Sequence, residues 1–240
     1  MTEPTVTPKP ALLPTATVTI DRQDRRNALD VDACERLAEE IAAAPEGGSR
    51  AIVLTGAGPH FCAGADLALV AGSELAIALR RLLATIEAVE VPIIAAVAGA
   101  AYGAGTQLAI ACDLRVVAPT ARFAIPAAKL GLMVDHWTVQ RLARLAGHGP
   151  ARAMLLAAHE MDATEALRLG FAQRGGDLEA ARGWAKEIAA LAPLSVAGHK
   201  LLLNGDPAAT AAYDRAWSSA DMAEGLAAFG QRRPPHFEGR

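Results

Sequence analysis

The most informative stretch of this 240-residue chain is VPIIAAVAGAAYGAGTQLAIACDLRVVA, residues 91–118. It opens with an apolar run at 91–97 that is typical of a buried strand, and it closes with a second such run at 114–118. Between them, small residues lead into a helix predicted over 103–112. This alternation of strand, turn, helix and strand predicts an α/β layer fold with a mostly parallel sheet.

Residues 91–112 carry no charged side chain and are about long enough to span a bilayer. The run is interrupted by Pro92, Gly99, Gly103, Gly105 and Gln107. We therefore expect a buried strand, a turn and a buried helix here, and no membrane span.

Further elements are predicted on both sides of this stretch. Strand patterns occur at 16–21, 51–55 and 122–125, and helix patterns at 31–44, 73–89, 136–146, 150–158, 164–169 and 178–191. Asp30 is a candidate N-cap for the first helix. We expect three parts: a flexible N-terminal tail at 1–14, where four prolines occur, a core at 15–192, and a helical region at 193–240.

Composition excludes several classes of protein. The net charge is −3 and no run of Lys or Arg forms a basic patch, so no nucleic-acid partner is expected. Three widely spaced cysteines argue against a disulfide framework or a structural zinc site, and the histidines show no ligand spacing. The N-terminus lacks the pattern of a signal peptide. A cytoplasmic protein without a metal is expected.

Two predicted turns contain small residues that could expose backbone amides to a ligand. FCAGADL, 61–67, follows a buried strand, and its small residues let a ligand approach free backbone amides. GAAYGAG, 99–105, opens a helix whose first N–H groups lack helical partners. It matches neither a Walker loop nor a dinucleotide fingerprint. Together the turns could form an oxyanion hole. The alternatives are an ordinary turn in which Asp66 caps a helix, and small residues that serve only close helix packing.

These stretches, with RRNAL at 25–29, AIVLTG at 51–56, CDLRVVA at 112–118 and FAIP at 123–126, resemble the crotonase superfamily of enoyl-CoA hydratases and isomerases. The resemblance implies a spiral of ββα turns with a C-terminal helical region that builds homotrimers or hexamers. It implies that the amides of Ala65 and Ala104 hold the carbonyl of a fatty acyl-CoA or enoyl-CoA thioester. It also implies coenzyme A contacts at Arg26, Ala28, Ala63, Gly64, Asp66 and Leu67, and no further cofactor.

The chain departs from the family at both hydratase glutamates, whose positions hold Gln107 and Ala127. Hydration needs one group to take a proton from water and one to deliver a proton to carbon, and each such group contributes about 10²–10⁴ in rate. Hydratase activity is therefore predicted to be absent or very weak. Gln107, Ala127 and Trp137 are expected at the acyl pocket, where the Trp137 indole would either form a wall or pack in the core.

Asp135 is the one carboxylate left near these positions, and one base suffices to move a proton between two carbons. An isomerase of enoyl-CoA or dienoyl-CoA that uses Asp135 as acid and base is the alternative function. Asp135 could equally cap the helix that begins at His136.

The combination of Gln107, Ala127 and Asp135 resembles a mycobacterial branch of the superfamily. That resemblance implies a protein that binds fatty acyl-CoA without hydrating it, in fatty-acid metabolism, with fatty-acid-synthesis proteins as partners. A mainly structural subunit of a mixed oligomer is a third hypothesis.

Overall fold

The computed structural model describes residues 14–68 and 73–240. The predicted tail at 1–14 lies outside the described residues except for Pro14. Eight strands are described: β1 Ala16–Ile20, β2 Ile52–Gly56, β3 Ile93–Val97, β4 Ala100–Tyr102, β5 Leu114–Val117, β6 Arg122–Ala124, β7 Met161–Asp162 and β8 Arg174–Gly175. A five-stranded parallel sheet has the order β1-β2-β3-β5-β8, and a smaller sheet has the order β4-β6-β7.

Ten helices surround the sheets in the described part of the chain: α1 Val31–Ala43, α2 Ser73–Ala88, α3 Ala104–Ala111, α4 His136–Ala146, α5 His148–Leu156, α6 Ala163–Arg168, α7 Leu178–Ala189, α8 Pro193–Asn204, α9 Ala209–Trp217 and α10 Ala220–Gln231. Short 3-10 turns occupy Gln23–Arg25 and Pro126–Leu130. Asp30 caps α1 as predicted, because its side chain accepts from Ala33 N at 2.8 Å. Within the described residues, no helix has both the length and the apolarity needed to cross a membrane.

The chain advances as a spiral of ββα turns. β3 and β4 lead into α3, and β5 and β6 lead into α4. In the first two turns the second strand is reduced to single bridges, in which Leu29 pairs with Ala65 and Cys62 pairs with Ala101. These bridges continue the layer that β4 and β6 form. The predicted spiral is thereby confirmed.

Three short strands were not predicted. Residues 100–102 were expected to form only a turn, but they pair in parallel with 122–124 as β4. β7 and β8 also lie beyond residue 126, after which only helices were expected. Strands of two or three residues are too short to show an alternating pattern, so their existence depends on partners distant in sequence.

The parallel sheet is buried on both faces. Ile52 and Leu54 of β2 face the main core, which α1, α2 and α3 cover, while Val53 faces a second core. In that second core, Ala185 and Ile188 of α7 pack against the sheet. Burial of both faces explains why these strands are continuous apolar runs.

The C-terminal region, α8 to α10, is attached to the core by a buried lysine. Lys200 Nζ donates to Ile86 O and Val91 O at 3.1 Å and lies 2.8 Å from Asp113 Oδ2. The same region exposes large apolar side chains, among them Leu203, Trp217, Leu226 and Phe229. Its predicted role in oligomerisation stays a prediction.

Candidate functional site

A cavity of about 460 Å³ lies between α2, the start of α3 and residues 125–135. Its wall is mostly apolar and includes Leu75, Leu79, Leu83, Ile125, Leu130 and Val134. Polar groups enter from Arg80, Gln107 and Asp135. A largely apolar pocket with a few convergent polar groups is the usual form of a small-molecule site.

The two predicted turns meet at one end of this cavity. Tyr102 N donates to Cys62 O, and Cys62 N donates to Ala100 O, each at 2.9 Å. Gly64 has a backbone φ of +116°, which residues with a side chain rarely adopt. A Cβ atom added at this position would lie 3.0 Å from Tyr102 O and 4.0 Å from Ala104 N. A glycine is required at position 64 because the second turn passes so close.

Two backbone N–H groups at this junction are free. Ala65 and Ala104 both line the cavity, and neither N–H has an acceptor among the residues that the structure describes. Ala104 is the first residue of α3, so its N–H lies at the positive end of the helix dipole. Two such donors, if they reach the same point, can hold a carbonyl oxygen and stabilise negative charge on it.

The predicted coenzyme A residues lie in two loops that are joined through their backbones. Ala63 N donates to Arg26 O at 3.0 Å, and Asp66 N donates to Leu29 O at 2.8 Å. Ala63, Gly64 and Leu67 line the cavity, whereas Arg26, Ala28 and Asp66 do not. The Arg26 side chain is exposed. Asp66 Oδ1 accepts from Ala68 N at 3.3 Å, and its role as a helix cap stays a prediction.

Asn27 braces these loops and was not predicted. It is buried, has φ +60°, and its Nδ2 donates to Ala57 O at 2.8 Å and His60 O at 2.7 Å. Its Oδ1 accepts from Arg22 N at 3.0 Å. Asparagine adopts a left-handed backbone more readily than most residues, so an asparagine in this loop was the one sequence signal that could have indicated the role of Asn27.

Gln107, Thr138 and Asp135 form a chain of hydrogen bonds at the cavity. Gln107 Nε2 donates to Thr138 Oγ1 at 2.7 Å, and Thr138 Oγ1 donates to Asp135 Oδ1 at 2.6 Å. Asp135 Oδ1 also accepts from Thr138 N at 3.0 Å and so caps α4. Asp135 therefore caps α4 as predicted and also lines the cavity, while its role as acid and base stays a prediction.

Ala127 lines the cavity from the 3-10 turn at Pro126–Leu130, but Trp137 does not line it. The half-buried indole packs against the main core, which is one of the two alternatives given for this residue, and its contact with an acyl chain stays a prediction. Successive helical residues point about 100° apart, so a helix that directs Thr138 toward Gln107 directs Trp137 elsewhere.

Tyr102 adds a phenol to the cavity wall. Its hydroxyl donates to Glu160 Oε2 at 2.5 Å. The hydrogen bond to this carboxylate, followed by partial burial, raises the pKa of Tyr102 to about 12. The hydroxyl therefore stays neutral at any physiological pH.

The sequence analysis also did not predict the apolar wall of the cavity or the hydrogen bonds of Thr138. Leu75, Leu79 and Leu83 recur every four residues along α2, so one stripe of that helix lines the cavity. That spacing was a usable signal. Thr138 lies three residues after the N-cap Asp135, a position at which its side chain can bond back to the cap.

Known proteins resemble this chain over nearly its whole length. The family model described as enoyl-CoA hydratase/isomerase matches residues 14–240. A Mycobacterium tuberculosis protein named "Probable enoyl-CoA hydratase echA6" is 46% identical over 231 residues, covering 93% of this chain and 95% of that protein. Its Mycobacterium leprae namesake is 44% identical, with the same coverage.

A solved structure of an enoyl-CoA hydratase/carnithine racemase from Magnetospirillum magneticum is also similar. It is 33% identical, has a TM-score of 0.84, and covers 93% of this chain and 92% of its own. The chain therefore belongs to the enoyl-CoA hydratase/isomerase family, and the resemblance found from its motifs is confirmed.

Proposed function

We propose that this enoyl-CoA hydratase/isomerase-family protein binds fatty acyl-CoA and enoyl-CoA thioesters and hydrates them very weakly or not at all. One observation carries the proposal: two free N–H groups, of Ala65 and Ala104, lie at the wall of an apolar cavity in which Gln107 and Ala127 occupy the glutamate positions. Enoyl-CoA is also what the names of the relatives say those proteins act on.

Each part of a thioester has a matching surface. The carbonyl oxygen would accept from Ala65 N and Ala104 N, each bond worth about 1 kcal/mol net. The acyl chain would lie on Leu75, Leu79 and Leu83, where each buried CH₂ contributes about 0.8 kcal/mol. Coenzyme A would follow the loops joined at Arg26 and Ala63, beside Ala28, Gly64, Asp66 and Leu67.

Weak hydration follows from the side chains at the two glutamate positions. The Gln107 amide can orient water, but it does not accept a proton at neutral pH, and the Ala127 methyl group can do neither. Because acid and base act as a unit, removing both leaves mainly the stabilisation of an enolate by the amides.

Isomerisation is the second candidate function, and the position of Asp135 favours it. The carboxylate lines the cavity, and its Oδ2 has no hydrogen-bond partner among the described residues. Asp135 would take a proton from C2 of a 3-enoyl thioester, leaving a dienolate whose negative oxygen the amides hold. Asp135 is exposed, so its proton can exchange with solvent before a proton is delivered to C4, which yields the 2-enoyl isomer with no other reactant.

Incubation with trans-2-enoyl-CoA and 3-enoyl-CoA in D₂O, followed by mass analysis, tests these functions. We expect protein-bound thioester to be recovered unchanged. A mass gain of one whole water would overturn the assignment of Gln107 and Ala127. Deuterium gain without water would establish proton transfer, and loss of that exchange in Asp135→Asn would assign it to Asp135.

Assembly and location complete the proposal. Exposed Leu203, Trp217 and Phe229 on the C-terminal helices support a homotrimer or hexamer. Three free, buried cysteines are compatible with a reducing cytoplasm and a role in fatty-acid metabolism beside fatty-acid-synthesis proteins. Light scattering of the purified protein tests the assembly, and a monomeric mass would contradict it.

A further inference from the structure

Arg80 places a positive charge beside the apolar wall of the cavity. It lies in α2 between Leu79 and Leu83, and all three residues line the cavity. Side chains of an α-helix lean toward its N-terminus, so Arg80 extends over the turn that holds Ala76, a small residue that also lines the cavity. The alkyl part of an arginine can lie on apolar surface while its guanidinium stays in water. Because Arg80 is exposed, its charge lies where the apolar wall meets the solvent.

No carboxylate compensates this charge in the part of the chain that the structure describes. Glu74 and Glu87 are the carboxylates of α2, and they lie near its two ends. Glu87 is 3.6 Å from Arg141, with which it forms an ion pair. The undescribed residues 69–72, which precede α2, have no acidic side chain in the sequence. The neighbours of Arg80 three and four positions away on the helix, which could pair with it, are all apolar: Ala76, Ile77, Leu83 and Ala84.

Asp135 is the other charged residue of the cavity lining, and it belongs to a different wall. The cavity separates α2 from residues 125–135, and no ion pair joins Arg80 to Asp135. A negatively charged group on a ligand is attracted by Arg80 and repelled by Asp135. The two charges together therefore direct such a group toward α2.

We propose that Arg80 is a specificity-determining residue that binds a carboxylate at the far end of an acyl chain, so that the coenzyme A monothioester of a dicarboxylic acid is a ligand of this protein. The inference rests on the proposed thioester binding. The methylene groups between thioester and carboxylate would pack on Leu75 and Leu79, as those of a fatty acyl chain would. Since Arg80 is exposed, the pair forms without the large cost of burying two ions.

Two fixed points imply a preferred chain length for such a ligand. The amides of Ala65 and Ala104 would hold the thioester carbonyl, and Arg80 would hold the carboxylate. A short diacid does not reach Arg80, whereas a long one must bend or carry its carboxylate past the guanidinium. Affinity for methyl-terminated chains should instead rise with each CH₂ that covers the wall, by about fourfold. The benefit of the carboxylate should therefore be largest at one length within a series.

The test compares dissociation constants, measured by calorimetry, of coenzyme A thioesters in pairs of equal length. The pairs are hexanoyl with adipyl, octanoyl with suberyl, and dodecanoyl with dodecanedioyl. For the best diacid, Arg80→Gln should weaken binding about fivefold, the upper range for an exposed ion pair, and should leave the methyl-terminated partner unchanged. Arg80→Lys should retain part of the effect because it keeps the charge.

Arg81→Gln is the matched control, since Arg81 is also exposed on α2 but does not line the cavity. It should change neither member of a pair. Salt at about 0.5 M should reduce the ratio between the two affinities in the native protein and not in Arg80→Gln, because salt screens an exposed ion pair. The ratio cancels any effect of salt on the coenzyme A part.

Two outcomes would overturn the inference: a ratio that Arg80→Gln leaves unchanged at every length, or an equal loss in Arg81→Gln. If Arg80→Gln weakened both members of each pair alike, Arg80 would act on coenzyme A or on the wall, and the inference would fail as well. Failure of the native protein to bind any of these thioesters would instead refute the proposed function, and with it the basis of this inference.

Discussion

Lys200 Nζ lies 2.8 Å from Asp113 Oδ2 in a buried contact that joins the first C-terminal helix to the parallel sheet. The two carbonyls that Lys200 also reaches belong to the end of α2 and the approach to β3. One ammonium group therefore satisfies three acceptors from separate elements.

Removing this ammonium should strongly destabilise the fold. Lys200→Met leaves Asp113 and two carbonyls without their donor, and we expect the free energy of unfolding to fall by about 3–5 kcal/mol. Chemical denaturation measures this loss. Lys186→Met, at an exposed lysine of α7, is the control and should change stability little. Equal stabilities of the two variants would show that the buried contact contributes nothing.

The Tyr102 hydroxyl should ionise only in strong alkali. Tyr213→Phe leaves Tyr102 as the one tyrosine, and its absorbance near 295 nm should rise with a pKa of about 12. Glu160→Gln in that background should lower the pKa. Because the folded pKa exceeds the unfolded value of about 10, the stabilising contribution of this group is complete below pH 10 and is lost toward pH 12. If Tyr102 titrated near its ordinary pKa of about 10 in both variants, the hydrogen bond between Tyr102 and Glu160 would be excluded.

The three thiols should resist modification in the folded protein. Cys34, Cys62 and Cys112 are buried, and burial, as the largest cause, raises the pKa of each to about 12. The thiolate is the reactive form, so a disulfide reagent at pH 8 should label none of them within the time in which it labels all three in denaturant. Rapid labelling of the native protein would mean that a thiol is accessible.

Gly64→Ala should reduce thioester binding through the geometry of the amide pair. The added methyl group meets Tyr102 O at 3.0 Å in a left-handed backbone, so the loop must shift and displace Ala65 N. We expect acyl-CoA affinity to fall at least tenfold. Gly183→Ala is a matched control, because it lies in α7 with no atom within 4 Å and should bind normally. Undiminished binding by Gly64→Ala would argue against this amide pair.

The ligand itself can be changed to isolate the carbonyl. A coenzyme A thioether lacks the oxygen that Ala65 N and Ala104 N would hold, and two lost hydrogen bonds correspond to roughly 10- to 30-fold weaker binding. Competition against the matching thioester measures the difference. Equal affinities would mean that the amides contact something other than the carbonyl.

Much of the fold could be predicted from local signals. Asp30 was identified as an N-cap, and the long strands and helices lie close to their predicted places, because capping and apolar periodicity are local properties. The short strands β4, β7 and β8 escaped prediction, because pairing with distant residues alone makes them strands.

The sequence by itself determined the family, the ββα spiral, the small residues at both turns and the absence of glutamate from positions 107 and 127. Only the tertiary structure decided that Gly64 meets Ala104, that Thr138 holds Gln107, and that Trp137 packs away from the cavity. The physical reason is the separation along the chain over which each kind of interaction acts. Residue type and spacing act over one helical turn or one strand, whereas a site is made by side chains that folding brings together from elements about 30–40 residues apart.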